Sequence, residues 1–183
     1  DKEKLVSSYI KLNPRSKVLD VGCAVGSFLL LLKDKFKCEI SGVDFKDDLD
    51  FPRFNEIDFH CGLLYEQEDM QEDSYDLITM WHFLEHCYSP AESLKKTHSL
   101  LSKKGKLVIE VPRLDSLTYK IYKDKWPGVQ APQHTVMFDK SHFIKMIEKS
   151  GFRVVKYLPY GAFPSYFYIF AGTYFKIFGK GMN

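Results

Sequence analysis

His82, Glu85 and His86 fall at i, i+3 and i+4 in the stretch "MWHFLEHCYSP" (80–90). On a helix three side chains at that spacing share one face. Imidazole and carboxylate groups either ligate metals or move protons, and H-x-x-E-H is the written pattern of one group of zinc peptidases. A second concentration lies in "LDVGCAVGSF" (19–28). There Gly22 and Gly26 allow a tight turn and a close approach of backbone to ligand. Asp20 precedes the turn, and Asp44 closes "SGVDF" further on. A carboxylate at the end of a strand can accept both hydroxyls of a ribose.

The glycine loop departs from the dinucleotide fingerprint G-x-G-x-x-G, because Ala24 and Ser27 stand at its second and third glycines. Asp20 is a further departure, since a carboxylate repels a pyrophosphate and suits a ligand bearing an ammonium group. If position 24 needs a positive φ, alanine there strains the turn. These features disfavour an NAD-linked oxidoreductase.

Elements must position these groups. "KVLDVG" (17–22), "CEISGVD" (38–44), "EIDFHCG" (56–62), "YDLITMW" (75–81), "KLVIEVP" (106–112) and "FRVVKYL" (152–158) read as strands. "SFLLLLKDKF" (27–36), "SPAESLKKTHSLLSKKG" (89–105) and "KSHFIKMIEKSGF" (140–152) read as helices. The second has Ser89 as N-cap, Pro90 at its first position and Gly105 as terminator. Part of 116–123 has a helical pattern within a long stretch, 113–139, of weak period. Alternating strands and helices imply a mostly parallel sheet covered on both faces. Ligands then bind beyond the C-terminal strand ends. That rule selects Asp20–Gly26, Asp44–Lys46, Gly62–Leu64, Met80–His86 and the loop after Pro112. It also weighs against the peptidase reading: with a strand ending at Trp81 and a helix opening at Ser89, only about one turn is left for H-x-x-E-H.

The chain has 183 residues, 26 basic and 24 acidic, and is 45% hydrophobic. That fits one globular domain and gives no cause to expect a nucleic-acid partner. Its four cysteines form no C-x-x-C pair and read as small hydrophobes in a reducing, cytoplasmic compartment. No secretory leader pattern opens the sequence. Aromatics make up 15% and crowd into 157–178. Phe163, Phe167, Phe170, Tyr174 and Phe178 recur there at helical spacing, with Lys176 and Lys180 nearby. Three readings are open for this segment: final strands completing the core, a dimer surface, or an amphipathic stretch lying on a membrane. The first is expected. Both a monomer and a dimer remain possible.

"VLDVGCAVGSFL" resembles the first motif of the class I S-adenosylmethionine-dependent methyltransferases. "DSYDLITMWHFLEHCYSPAESLKKTHSLLSKKGKLVIEVP" looks like that family's middle block. The later series Trp126, Pro132, Gln133, His134 and Phe138, followed by "SGF", is similar to a branch that includes cell-surface glycan and small-molecule methyltransferases. The resemblance implies a Rossmann-like, doubly wound α/β fold with a mostly parallel seven-stranded sheet and helices on both faces. A single domain, 1–183, would comprise a cofactor half, 1–112, and an acceptor loop with C-terminal strands, 113–183. S-adenosylmethionine would be the cofactor, released as S-adenosylhomocysteine. Asp20 would hold its amino group. Gly22, Cys23, Ala24 and Gly26 would border its methionine part, and Asp44 with Phe45 would take the ribose. Gly62, Leu63, Met80, Trp81 and His82 would line the rest.

Methyl transfer from a sulfonium needs alignment more than a nucleophilic residue. An oxygen acceptor must also lose a proton, for which His134 is the first candidate base and His86 the second. The expected acceptor is a small molecule or glycan, with Trp126, Tyr119 and Tyr122 either stacking on its ring or packing the long loop. No metal is assigned. His82, Glu85 and His86 with His134 form an alternative metal set, and a metal-dependent hydrolase and a non-catalytic nucleoside-binding module are the alternative functions.

Overall fold

A computed structural model of the chain describes residues 2–45, 54–129, 132–159, 161 and 165–178. Its elements are α1 (Lys2–Ser7), β1 (Lys17–Val21), α2 (Ser27–Phe36), β2 (Glu39–Asp44), β3 (Asp58–Cys61), β4 (Tyr75–Trp81), α3 (Pro90–Leu100), β5 (Leu101–Glu110), α4 (Leu117–Tyr122), α5 (Lys140–Lys149) and α6 (Ser165–Phe178). Lys46, Phe163 and Lys180 lie outside the described residues.

The contacts divide the chain into two units. The first comprises 1–83 and 91–109, the second 84–90 and 110–183. The first holds a sheet of order β3-β2-β1-β4-β5, in which β1 runs parallel to β2 and β4, and β2 parallel to β3. Strand order turns back at β1, the point where such sheets bind ligands. Both β1 and β4 are buried nearly throughout, as strands covered on both faces must be, which is why they read as unbroken apolar runs. Leu29, Leu30 and Leu32 of α2 join Val18, Ile40 and Leu77 in the core. This helix ends on Lys37, whose φ of 57° is left-handed. That conformation lets the Lys37 N–H return to the Lys33 carbonyl at 2.8 Å, a common way of satisfying a helix end.

In the second unit, Asp139 caps α5. Its carboxylate accepts the His142 N–H at 2.9 Å. That bond, followed by those from the His142 ring and the Ser141 hydroxyl, holds the Asp139 carboxyl well below the usual carboxylate range.

Four expectations are corrected. The described residues form five strands, not seven. Residues 152–158 alternate but form no strand, and Val155 is 68% exposed. Alternation supplies a face, but a strand also needs a neighbour to take its backbone bonds. Tyr157 is held instead by its ring, over which sit Arg113 at 5.4 Å and Lys140 at 4.4 Å, both in cation–π geometry. The helix expected over 89–105 stops at Leu100, and Gly105 lies inside β5, where a Cβ would meet the Tyr75 carbonyl oxygen at 2.6 Å. Finally, 165–178 is a helix and does not complete the core with strands. One edge docks α6: Tyr122 donates to the Ile169 carbonyl at 3.0 Å, and Tyr168 lies 5.7 Å from Trp126.

Candidate active site

The first unit builds a cradle at the C-terminal end of β1. Gly22 and Gly26 both take positive φ, 77° and 70°. At Gly22 a Cβ would meet the Phe83 ring at 2.8 Å. This turn therefore requires glycine for space as well as for conformation. Between them Ala24 has φ 46°. The position does need the left-handed region, and alanine bears the strain, on the order of 1–2 kcal/mol.

Asp44 explains why the strained turn holds. Its Oδ2 accepts the Ala24 N–H at 2.8 Å and its Oδ1 accepts the Phe45 N–H at 2.7 Å. Each carboxylate oxygen keeps a further lone pair for a ribose hydroxyl. The Gly62 N–H donates to the Asp44 carbonyl at 2.8 Å, which brings Gly62 and Leu63 to the same strand end. Phe45, 48% exposed, stacks near Phe83 at 6.4 Å.

Asp20 is buried and lies in register with Gly42 on β2 and Thr79 on β4. Thr79 donates to its Oδ1 at 2.6 Å. Burial pushes the Asp20 carboxyl up to about 7. The Thr79 bond and the nearby Lys2 charge oppose this, and Asp44 adds to it. A group held at that poise gains from a cationic ligand, as an amino-acid ammonium would be. Burial, with the charges of Asp20 and Asp44, pushes the Cys23 thiol up to about 12, so it remains a thiol. Left-handed glycines, a carboxylate for an ammonium and a carboxylate for a diol together fit the nucleoside and methionine ends of S-adenosylmethionine.

Met80 and Trp81 are more deeply buried than an open pocket wall. Met80 lies beside Val21, and Trp81 packs edge-on to Phe28 at 5.5 Å beneath the Lys2 ammonium at 4.9 Å. His82 follows in the left-handed region, φ 55°.

The second unit holds a cluster of histidines with a glutamate. Leu84–His86 forms a single 3-10 turn, and Thr135 clamps it to the loop that carries His134. The Thr135 N–H and hydroxyl both donate to the Glu85 carbonyl, at 2.8 and 3.2 Å, and the hydroxyl also reaches the Cys87 carbonyl at 3.0 Å. The rings of His86 and His134 meet edge to face at 4.7 Å. Nδ1 of His86 bonds the Gln133 carbonyl at 3.0 Å, and Nδ1 of His134 the Gly128 carbonyl at 2.9 Å. A carbonyl only accepts, so Nδ1 carries the proton and Nε2 is the basic nitrogen of each ring. Glu85, wholly buried, His86 and His134 place one ligand-type atom each within 4.8 Å of one another. His82 is not in that group, so the H-x-x-E-H spacing does not act as a unit. Trp126, 4% exposed, packs between Tyr119 and Tyr168, and Tyr122 is bonded to α6. Both pack the long loop and leave no open stacking surface.

Sequence reasoning missed Thr79, Phe83 and Thr135. Only Thr79 left a signal, as a polar residue inside the apolar run of β4.

No curated protein matches the sequence significantly. Among solved structures, the chain is similar to BH2331 of Bacillus halodurans C-125, a candidate methyltransferase, with 19% identity and TM-score 0.69 over 85% of this chain and 70% of that one. A SAM-dependent methyltransferase of Thermotoga maritima gives 20% identity and TM-score 0.64 over 82% and 69%. Phosphoethanolamine N-methyltransferase 2 of Haemonchus contortus, solved with S-adenosyl-L-methionine, gives 14% and 0.62 over 81% and 36%. Identities this low speak to the fold. The family model described as "Methyltransferase domain" matches residues 3–157, most of the chain. The chain therefore belongs to the methyltransferase-domain family, the Rossmann-like fold that takes S-adenosylmethionine as its methyl donor.

Proposed function

We propose that the chain moves a methyl group to a hydroxyl oxygen of a small-molecule or glycan acceptor. The observation that carries this reading is the histidine pair, whose two Nδ1 atoms are tied to carbonyls so that both Nε2 atoms are basic. When bound, S-adenosylmethionine supplies an electrophilic methyl on a sulfonium. Asp20 holds the ammonium, the 22–26 turn borders the methionine part and Asp44 takes the ribose, with Phe45, Gly62, Leu63 and His82 around it. His134, with His86 second, would accept the proton that an acceptor hydroxyl must lose.

An acceptor screen with labelled cofactor, begun on hydroxylated sugars and phenols, tests the reading. His134→Gln should lower kcat by roughly 10²–10⁴-fold with cofactor affinity retained. Transfer to nitrogen or carbon acceptors only would overturn it.

The closeness of Glu85 to the pair favours one second reading, in which the three residues hold a zinc-type ion that polarises the acceptor hydroxyl. Metal analysis of the purified protein decides between the two: stoichiometric zinc, lost in His86→Ala, supports the ion. The buried thiols Cys23, Cys38 and Cys87 support a cytoplasmic setting. A nearly balanced charge supports a non-nucleic-acid acceptor.

A further inference from the structure

We infer that α6 and α4 form a docking face for an anionic lipid surface. Fifteen large apolar side chains are exposed among the described residues, and nine of them lie on these two helices, so the exposed apolar surface is concentrated there. At about 100° per residue, Tyr166, Phe170 and Ile177 lie within roughly 40° of one another on the helix circumference. They are 74%, 77% and 68% exposed. Phe167, Tyr174 and Phe178 continue this face on one side, and Ile169 and Lys176 on the other. The opposite face is committed to the protein: at Gly172 a Cβ would lie 2.7 Å from the Tyr122 ring, and Tyr168, on that side, lies 5.7 Å from the Trp126 ring. Leu117 and Ile121 of α4 are likewise 72% and 50% exposed.

Charge selects the occupant. Helix α6 has Lys176 and no acid, while α4 and the turn after it carry Lys120, Lys123 and Lys125 against Asp124 alone. Within a chain of 26 basic and 24 acidic residues, four lysines against one aspartate is a local excess. Aromatic and apolar side chains beside lysines and almost no acid match the boundary of a bilayer with anionic headgroups. A second copy paired through the same face by a two-fold axis would set these lysines against their own equivalents. Its fourteen residues give α6 a length of about 21 Å, which suits lying in the interface and falls short of the ~30 Å hydrocarbon core. Among the described residues no helix is long and apolar enough to cross a membrane. If the proposed methyl transfer holds, a surface-bound chain would meet acceptors carried on lipid. The docking itself does not depend on that reading.

Sedimentation of the full chain with extruded vesicles tests this without any methyl transfer. Vesicles of phosphatidylcholine containing phosphatidylglycerol should carry the protein down. Pure phosphatidylcholine should do so much less, and raising salt from about 0.1 to about 0.5 M should weaken the binding. Each of Lys120→Gln, Lys123→Gln and Lys176→Gln should lower the vesicle partition coefficient by about fivefold, the equivalent of ~1 kcal/mol per basic residue. Phe170→Glu with Ile177→Glu should abolish binding while circular dichroism and cofactor affinity stay unchanged. Failure to bind anionic vesicles overturns the proposal, as does binding that survives the Phe170/Ile177 change. So does a concentration-dependent dimer that the same change dissolves, since that outcome makes a second copy the occupant.

Discussion

Cofactor affinity should depend on pH through Asp20. Its carboxyl is pushed from an ordinary 3.8 up to about 7, chiefly by burial. In the folded chain it therefore keeps its proton over a range in which the unfolded chain has lost it. From about pH 4 to pH 7 the unfolded state binds fewer protons, so stability falls as pH rises and levels off above 7, at a cost of about 4 kcal/mol relative to an unshifted carboxyl. An ammonium seated on the ionised carboxylate returns part of that cost, so the cofactor binds the ionised form. With a midpoint near 7, about a tenth of the protein is ionised at pH 6 and about half at pH 7, so the apparent Kd should improve about fivefold between them. The gain should flatten towards pH 8, where the ligand's own amino group, with a pKa of roughly 7.7–8.0, begins to lose its proton. Isothermal titration calorimetry at pH 6, 7 and 8, in buffers of different ionisation enthalpy, reads both the affinity and the proton released on binding, about half a proton at pH 7. Asp20→Asn should bind weakly at every pH and show no slope from 6 to 7. A flat wild-type affinity over that interval, or the same slope in Asp20→Asn, would refute the reasoning.

Thr79→Val removes the 2.6 Å bond that lowers the Asp20 pKa. The pH–affinity curve should then move to higher pH; a curve that stays put or moves down contradicts the geometry. Ala24→Gly relieves an alanine at φ 46°. After the extra backbone entropy of glycine, it should stabilise the chain by roughly 0.5–1 kcal/mol, read as a Tm higher by about 2 °C. A lower Tm would mean that the turn bears no strain. Among the four thiols, only the exposed Cys61 should react with a thiol reagent in the native state. Cys23, Cys38 and Cys87 should react on unfolding, and rapid native labelling of Cys23 would contradict its burial.

What the sequence made legible follows from where the physics is local. Helix α2 and strand β4 have the expected bounds because the first is a leucine run starting just after a glycine turn and the second a nearly fully buried strand between polar breaks. The glycine turn and the strand-end carboxylate were legible because both act within a few residues of chain. Non-local pairing was not legible. The 152–158 segment has a strand's alternation, but its backbone meets no ladder. The aromatics of 165–178 have strong strand propensity, yet Tyr122 and Trp126, more than 35 residues earlier, hold them as a helix. At the histidine cluster, spacing suggested His82 with His86, whereas the partner brought in is His134, 48 residues beyond His86 and fixed by Thr135. His60 and His142 bond the carboxylates of Asp58 and Asp139.

The Asp44 carboxylate has a kinetic consequence. Because it already binds the Ala24 and Phe45 amides, the turn it closes is formed before any ligand arrives. Among the described residues, a nucleoside entering such a cradle need not order the 22–26 turn, so its arrival is insensitive to the stiffness of residues 22–26. Substitutions in the turn should therefore register as changes in residence time. Asp44→Ala is the exception, because it removes the latch on the Ala24 and Phe45 amides and so turns a one-step association into one that must wait for the turn to close.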